Sequence, residues 1–223
     1  YDSGSICCAL NNLDIKYETY TVLGQEDKNT LVGRFKKNNV KCNNYILDNK
    51  IVQTYREKNK KELFDYSFYP VKRRPKDIYN VLRDGASPGI NFLFEKASNN
   101  NMKIMLSGQG ADEILADYGF NGQKKTWHSS FGGKFPADLN SVYPWESFFS
   151  GTQKCFLMKE EIFGGYYGLE NRYPFLDKDV VQEFLWLKPK LKNKYYKAPL
   201  HNYLIVNKYP FIPNVKIGFN RLF

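Results

Sequence analysis

Residues 105–118 read Met-Leu-Ser-Gly-Gln-Gly-Ala-Asp-Glu-Ile-Leu-Ala-Asp-Tyr, and they constrain the fold of this 223-residue chain more than any other stretch. The apolar run Ile104 to Leu106 reads as a short buried strand. Ser107-Gly108-Gln109-Gly110 follows at once, and Ala111 to Leu115 reads as a helix. A strand, a glycine turn and a helix in direct succession aim backbone N–H groups at an anion. Asp112 and Glu113 fall in the first turn of that helix. They suit its dipole there, and they are also of the type that holds a divalent cation on a nucleotide phosphate. Taken alone, the stretch is equally an ordinary glycine turn with an acidic helix start.

The rest of the chain supplies an α/β frame. Asp2-Ser3-Gly4-Ser5 leads into an apolar run and reads as a tight turn entering a helix, with Asp2 or Ser3 as N-cap. The β-forming run 17–24 predicts a strand, 26–37 an amphipathic helix and 40–47 another strand. That alternation argues for a parallel sheet with helices on its faces. Residues 48–80 are lysine-rich with poor periodicity and read as an exposed loop or insertion. Ser87 or Pro88 opens a helix over 90–98. The aromatics of 119–150 are read as packing rather than recognition. Residues 152–163 predict a helix, and Asp177 is placed to cap another over 180–187.

Leu106-Ser107-Gly108-Gln109-Gly110-Ala111-Asp112-Glu113 resembles the Leu-Ser-Gly-Glu-Gly-Ala-Asp-Glu signature of the asparagine synthetase C-terminal domain, an ATP pyrophosphatase of the PP-loop class. Other stretches resemble that family in the same order. Tyr1-Asp2-Ser3-Gly4 is similar to the tail of the PP-loop, Ser-Gly-Gly-x-Asp-Ser-Ser, with Gly4 in place of the second serine. Gly168-Leu-Glu-Asn-Arg-Tyr-Pro-Phe-Leu-Asp177 is similar to Gly-Leu-Glu-Ala-Arg-Val-Pro-Phe-Leu-Asp. Lys197 falls on the lysine of a Lys-x-x-Leu-Arg segment, with His201 where the family has arginine. Lys216, Gly218 and Phe219 match a C-terminal Arg-Lys-Lys-x-Gly-Phe, with Asn214 where the family has arginine.

The resemblance implies an α/β fold of the adenine nucleotide alpha hydrolase-like, PP-loop type. A parallel sheet flanked by helices would fill 1–120, and a helical half, 121–223, would complete the substrate cleft in one continuous synthetase-like domain. It implies a further strand ahead of residue 1, so the chain is expected to begin inside a larger protein. It assigns ATP to Asp2, Ser3, Gly4, Ser5, Ser107, Gly108 and Gly110, with Val22, Leu23 and Gly24 against adenine through backbone groups. Asp2 and Asp112 would organise Mg2+, with Glu113 behind them. Lys197 would reach the phosphates, and Gln109 would face the nitrogen nucleophile. The expected partners are ATP and a small carboxylate, with an upstream glutaminase domain or a host complex. The reaction would activate the carboxylate as an acyl-adenylate for attack by ammonia or an amine.

Several residues depart from the family pattern. Gln109 stands where the family has glutamate, and a carboxamide is no base at neutral pH. Losing a general base costs roughly 3–5 kcal/mol of barrier. The substrate is then a better nucleophile, or Glu170 or Glu160 takes the proton, or the domain no longer catalyses and serves as a structural subunit of an assembly. Ala116-Asp117-Tyr118 replaces a Gly-Gly-Tyr that the family often carries, which puts a charged side chain at a turn.

Composition excludes other classes. With 42% hydrophobic residues the chain is globular rather than disordered. No apolar run approaches the ~18–20 residues of a membrane span. The net charge of +10 is scattered over lysines and reads as a solvated surface, so nucleic acid is not expected as a partner. Four cysteines, Cys7, Cys8, Cys42 and Cys155, lack metal-ligand spacing and read as reduced thiols of a cytosol-like compartment. His128 and His201 assemble no triad.

Overall fold

The computed structural model describes residues 1–24, 27–62, 67–68, 79–80, 84–148 and 152–216. The elements run α1 (Asp2–Asn12), β1 (Glu18–Val22), α2 (Lys28–Asn38), β2 (Lys41–Tyr45), α3 (Asn49–Glu62), β3 (Ser67–Phe68), β4 (Tyr79–Asn80), α4 (Ser87–Asn99), β5 (Ile104–Leu106) and α5 (Ala111–Leu115). Then follow β6 (Gly119–Phe120), β7 (Gln123–Lys124), α6 (Thr152–Tyr167), β8 (Glu170–Arg172), α7 (Lys178–Trp186), α8 (Pro189–Lys192) and α9 (Ala198–Val206). The chain is thus mixed α/β with short parallel sheets.

Local chemistry explains most boundaries. Asp27 caps α2 by accepting from the Thr30 N–H at 2.7 Å, and Asn39 closes it in the left-handed region at φ 48°. Pro88 sits in the first turn of α4, where its missing N–H costs nothing. Asp177 caps α7 through the N–H groups of Asp179 and Val180. At α1 the expectation fails in detail. Tyr1 is the N-cap, Asp2 is already helical, and no side chain caps the helix.

The parallel architecture appears as two pairs. β1 runs beside β2 with Glu18 opposite Lys41 and Val22 opposite Tyr45, and α2 forms the crossover. β5 runs beside β8 with Ile104 opposite Glu170 and Leu106 opposite Arg172. Among the described residues no strand pairs β1 with β5. Instead residues of both line one cleft. That placement corrects the reading of Ile104 to Leu106 as buried: the strand forms, but Ile104 is 43% and Leu106 39% exposed. The pleat turns both toward the cleft and sends Met105 into the apolar cluster of Ile90, Phe94, Phe163 and Leu169.

A second correction falls on residues 48–80. Instead of a loop, 49–62 form α3. Its apolar positions, Val52 and Tyr55, lie three apart and pack with Val22, Leu47, Phe92 and Leu93. Polar residues also serve that face. Asn59 is fully buried and accepts from Asn91 of α4, which is why hydrophobic periodicity missed the helix. The basic run 72–75 lies outside the described residues.

One core cluster joins elements from both ends of the chain. Ile6 of α1, Ala111, Ile114 and Leu115 of α5, Phe184 of α7 and Leu200 of α9 meet Phe135, Trp145, Phe148 and Phe175. Each large side chain buried there contributes about 1.5–3 kcal/mol. Of the aromatics in 119–150, Phe135, Trp145 and Phe148 are packing residues, as expected, whereas Trp127 is 58% exposed and lines the cleft.

Candidate functional site

The glycine turn between β5 and α5 meets the first helical turn of α1, which the structure has where the sequence predicts a separate turn at Asp2-Ser3-Gly4-Ser5. A Cβ added at Gly108 would lie 2.8 Å from Asp2 Cβ and 3.3 Å from the Ser3 backbone nitrogen. Only a hydrogen at that position lets the start of α1 reach the turn between β5 and α5. Gly110, at φ +92°, provides the left-handed entry to α5, and a Cβ there would strike Leu176. Pro174 and the short 3-10 turn 174–176 hold Leu176 in that place.

Lys197 ties the two turns together. Its ammonium donates to both oxygens of Asp2, at 2.6 and 2.7 Å, and lies 3.0 Å from Asp112 Oδ1. Lys197 adopts φ 49° as the residue before α9, a left-handed conformation unusual for lysine. Asp112 takes two more donors, the Tyr196 hydroxyl at 2.8 Å and the Lys216 ammonium at 2.7 Å. Burial alone would push the Asp112 carboxyl up, but Lys197 and Lys216 outweigh it and hold it well below the usual carboxylate range. For the same reason the Asp112 and Asp2 charges overcome burial and raise the Lys197 ammonium above its ordinary value.

Glu113 has the opposite fate. It is 1% exposed, and burial, then the neighbouring Asp112 charge, pushes its carboxyl up to about 7. The Tyr118 hydroxyl donates to it. The adjacent carboxyls therefore diverge: Asp112 is held as the anion by two lysines, and Glu113 keeps its proton to higher pH.

Around these groups opens a cleft of about 1670 Å³. That exceeds the ~300–1,000 Å³ of a typical ligand site. It is lined by Asp2, Ser3, Gly4, Val22, Ser107, Gly108, Gln109 and Asp112, all singled out from sequence. Other expected residues are placed differently. Ser5 is buried and donates to the Tyr1 carbonyl at 3.1 Å. The Leu23 N–H is spent on the Tyr45 carbonyl at 2.7 Å, and Gly24 is exposed beyond the end of β1. Lys197 is only 3% exposed and lies beneath the carboxylates. Gln109 donates its carboxamide N–H to Glu160 at 3.1 Å, and both line the cleft. Glu170 and Arg172 form an exposed pair at 2.7 Å along β8, where solvent screens it.

Sequence reasoning missed three contributors. Tyr196 and Lys216 both hold Asp112, and only the match at Lys216 hinted at either. Arg34 of α2 is the third. Its guanidinium covers Gly4, where an added Cβ would lie 2.6 Å from Nη2. The turn at Ala116-Asp117-Tyr118 also resolves. Asp117 and Tyr118 take φ 42° and 50°, and the buried Asp117 carboxylate accepts from the backbone of Ser130 and Phe131 and from the hydroxyls of Ser129 and Ser147. Burial pushes the Asp117 carboxyl up and these donors oppose the rise, tying the loop 129–131 and Ser147 to one side chain. His201 is buried, bonded to the Tyr1 hydroxyl at 3.0 Å and stacked on Tyr195. None of the four cysteines is in a disulfide.

Fold and site define a mixed α/β protein in which a glycine turn and the start of α1 frame a charged cleft. A family profile described as asparagine synthase matches residues 59–162. Over 119 residues the chain is 29% identical to asparagine synthetase [glutamine-hydrolyzing] 1 of Arabidopsis thaliana, covering 52% of this chain and 18% of that protein. Together these support the asparagine synthetase family for this chain. The matched profile includes Gln109, Asp112 and Glu160, while Asp2, Lys197 and Lys216 lie outside it. The chain spans less than a fifth of the relative's length. Among the described residues no helix is long and apolar enough to cross a membrane.

Proposed function

We propose that the chain is the synthetase part of an ATP-dependent, AMP-forming amide ligase of the asparagine synthetase type, with a PP-loop nucleotide site. The observation that carries this reading is the Asp2–Lys197–Asp112 cluster where the glycine turn after β5 touches the start of α1. Backbone N–H groups and Ser3 would receive the triphosphate, and positive charge from Lys197, Lys216 and Arg34 would neutralise it. A carboxylate substrate would attack the α-phosphorus as pyrophosphate leaves. Ammonia or an amine would then attack the acyl carbon, releasing AMP and a proton.

Asp2 and Asp112 fit Mg2+ as hard oxygen donors. Both already converge on one cation, the Lys197 ammonium. Bound there, Mg2+ would shield phosphate charge. Among the described residues no group of three His, Cys, Asp or Glu side chains is arranged for a metal, so the remaining ligands would be phosphate oxygens and water.

The test is pyrophosphate release from ATP and Mg2+ with a panel of amino-acid carboxylates. Release with one carboxylate supports the ligase. Absence of both release and nucleotide binding moves the reading to a structural subunit. Asp112→Ala is expected to abolish nucleotide binding, and unchanged affinity in that variant would remove the metal assignment.

A further inference from the structure

Gln109 is the residue hardest to reconcile with amide synthesis, and its partner changes its meaning. Glu160, on α6, is 6% exposed. Its Oε1 accepts from Gln109 Nε2 at 3.1 Å, while its Oε2 is buried and has no hydrogen-bond partner among the described residues. A buried carboxylate oxygen left unpaired is destabilising, so the pair is incomplete as it stands. Among the described residues, the nearby charges are already engaged. Lys159 is paired with Asp84 at 2.9 Å, and Glu161 accepts from the Tyr173 hydroxyl at 2.7 Å. Arg172 lines the same cleft but is held by Glu170. Ser107 and Gln109 are the polar groups that reach Glu160 from the signature turn.

The bond to Glu160 also fixes which way the carboxamide points. Its nitrogen is committed to the carboxylate, so its oxygen is left as the acceptor. A glutamate at position 109 would set two carboxylates about 3 Å apart, and one of them would have to stay protonated. Position 109 and position 160 can therefore share one negative charge but not two.

We propose that Glu160 carries the negative charge of the amine subsite in place of residue 109, holding the Gln109 carboxamide so that its oxygen accepts from a nitrogen nucleophile of the ammonium or primary amine class. Glu160 is a positioning residue. It orients Gln109, and its charge favours the positive nitrogen formed on attack. The inference rests on the ligase reading for its reaction but not for its binding chemistry. Burial pushes the Glu160 carboxyl up, and Ser107, Gln109 and Lys159 oppose that rise.

The test titrates methylammonium chloride, against sodium chloride, into the wild-type chain and two variants. One is Glu160→Gln, and the other is the exchange Gln109→Glu with Glu160→Gln. The wild type is expected to show a saturable shift of the Gln109 side-chain amide resonance. Glu160→Gln should weaken the apparent Kd about tenfold or more, the scale of one charge-assisted hydrogen bond. The exchange, which restores one carboxylate and one carboxamide, should return it to within about threefold, followed at the side-chain amide then carried by position 160. In amide synthesis, Glu160→Gln should raise the KM for the amine more than it lowers kcat. Should Glu160→Gln not fold, Gln109→Met decides: it removes the acceptor oxygen and should abolish the saturable shift of the Ser107 and Gly108 backbone amide resonances that the wild type shows in the same titration. Wild type without saturable binding overturns the inference. So does unchanged affinity in Glu160→Gln or Gln109→Met, or an exchange variant no better than the single change. ATP–pyrophosphate exchange by the wild type needs no amine. Its absence sinks the ligase reading while the methylammonium titration still judges the subsite.

Discussion

Gly108 and Asp2, 106 positions apart in the chain, touch so closely that a Cβ on the first would lie 2.8 Å from the Cβ of the second. The contact makes one site of two turns. Gly108→Ala has no room at Asp2 and little at the Ser3 backbone, 3.3 Å away, so the start of α1 must retreat from the turn. Overpacking of this kind costs typically about 1–3 kcal/mol. The variant should melt earlier and bind ATP more weakly. A variant with unchanged melting and unchanged ATP affinity would show that the turns need not touch.

Lys197 is the counter-charge to two carboxylates and is itself 2% exposed at its side chain. Lys197→Met keeps the length and removes the charge, leaving Asp2 and Asp112 to repel each other. Breaking a buried pair in this way costs about 3–5 kcal/mol, far more than the pair adds over an apolar replacement. Urea denaturation should show that loss, and the double variant Lys197→Met with Asp2→Asn should recover part of it. A single variant as stable as wild type would mean that the lysine is not needed to hold the carboxylates.

The extent to which these relationships could be read from sequence varies with their physics. The glycine turn between β5 and α5, the capping by Asp177 and the α2 crossover were legible because each is local: a backbone conformation or a cap needs particular residue types at fixed offsets. The grouping of Asp2, Asp112 and Lys197 was legible only through motif resemblance, since nothing in periodicity brings positions 2, 112 and 197 together. α3 was illegible because its inner face is built in part from Asn59, which pairs with Asn91 across the helix interface. Hydrophobic pattern cannot register a buried amide whose partner lies 32 residues away. Arg34 was illegible for another reason. On α2 it looks like any solvated basic residue, and only the tertiary fold lays it over a glycine that has no side chain to exclude it.

Glu113 gives the site a pH signature. Its folded carboxyl is pushed up to about 7 from its ordinary value of 4.5, first by burial and then by Asp112. The folded chain therefore holds a proton that the unfolded chain releases between those values. Stability from this group is fully present below pH 4.5 and is lost as pH rises through about 7. The difference amounts to about 3 kcal/mol at most. Glu113→Gln keeps an acceptor for the Tyr118 hydroxyl and cannot ionise. It should match the wild type near pH 4.5, exceed it in stability at pH 8, and flatten the profile between. Parallel denaturation curves for the two proteins across that range would rule out a buried, protonated Glu113.

Arg34 and Gly4 make the last pair. Gly4 stands where the resembling motif has a serine, so one hydroxyl donor to phosphate is gone. The Arg34 guanidinium occupies that space, with its Nε anchored on the Pro210 carbonyl at 2.9 Å. The terminal nitrogens remain as a planar fork of N–H donors suited to phosphate. Arg34→Gln retains a donor for Pro210 but loses the charge and the fork. A hydrogen bond to a charged group contributes about 1.5–3 kcal/mol, so ATP or pyrophosphate affinity should fall roughly 10- to 150-fold. Gly4→Ser on that background should recover part of the loss, because the hydroxyl then has the space the guanidinium vacated. In the wild-type background the same change should bring no gain, since the serine Cβ meets Nη2 at 2.6 Å and displaces a stronger donor. Titration calorimetry with pyrophosphate on the four proteins separates these outcomes. Equal affinity in Arg34→Gln and wild type would show that Arg34 fills space over Gly4 without serving the anion.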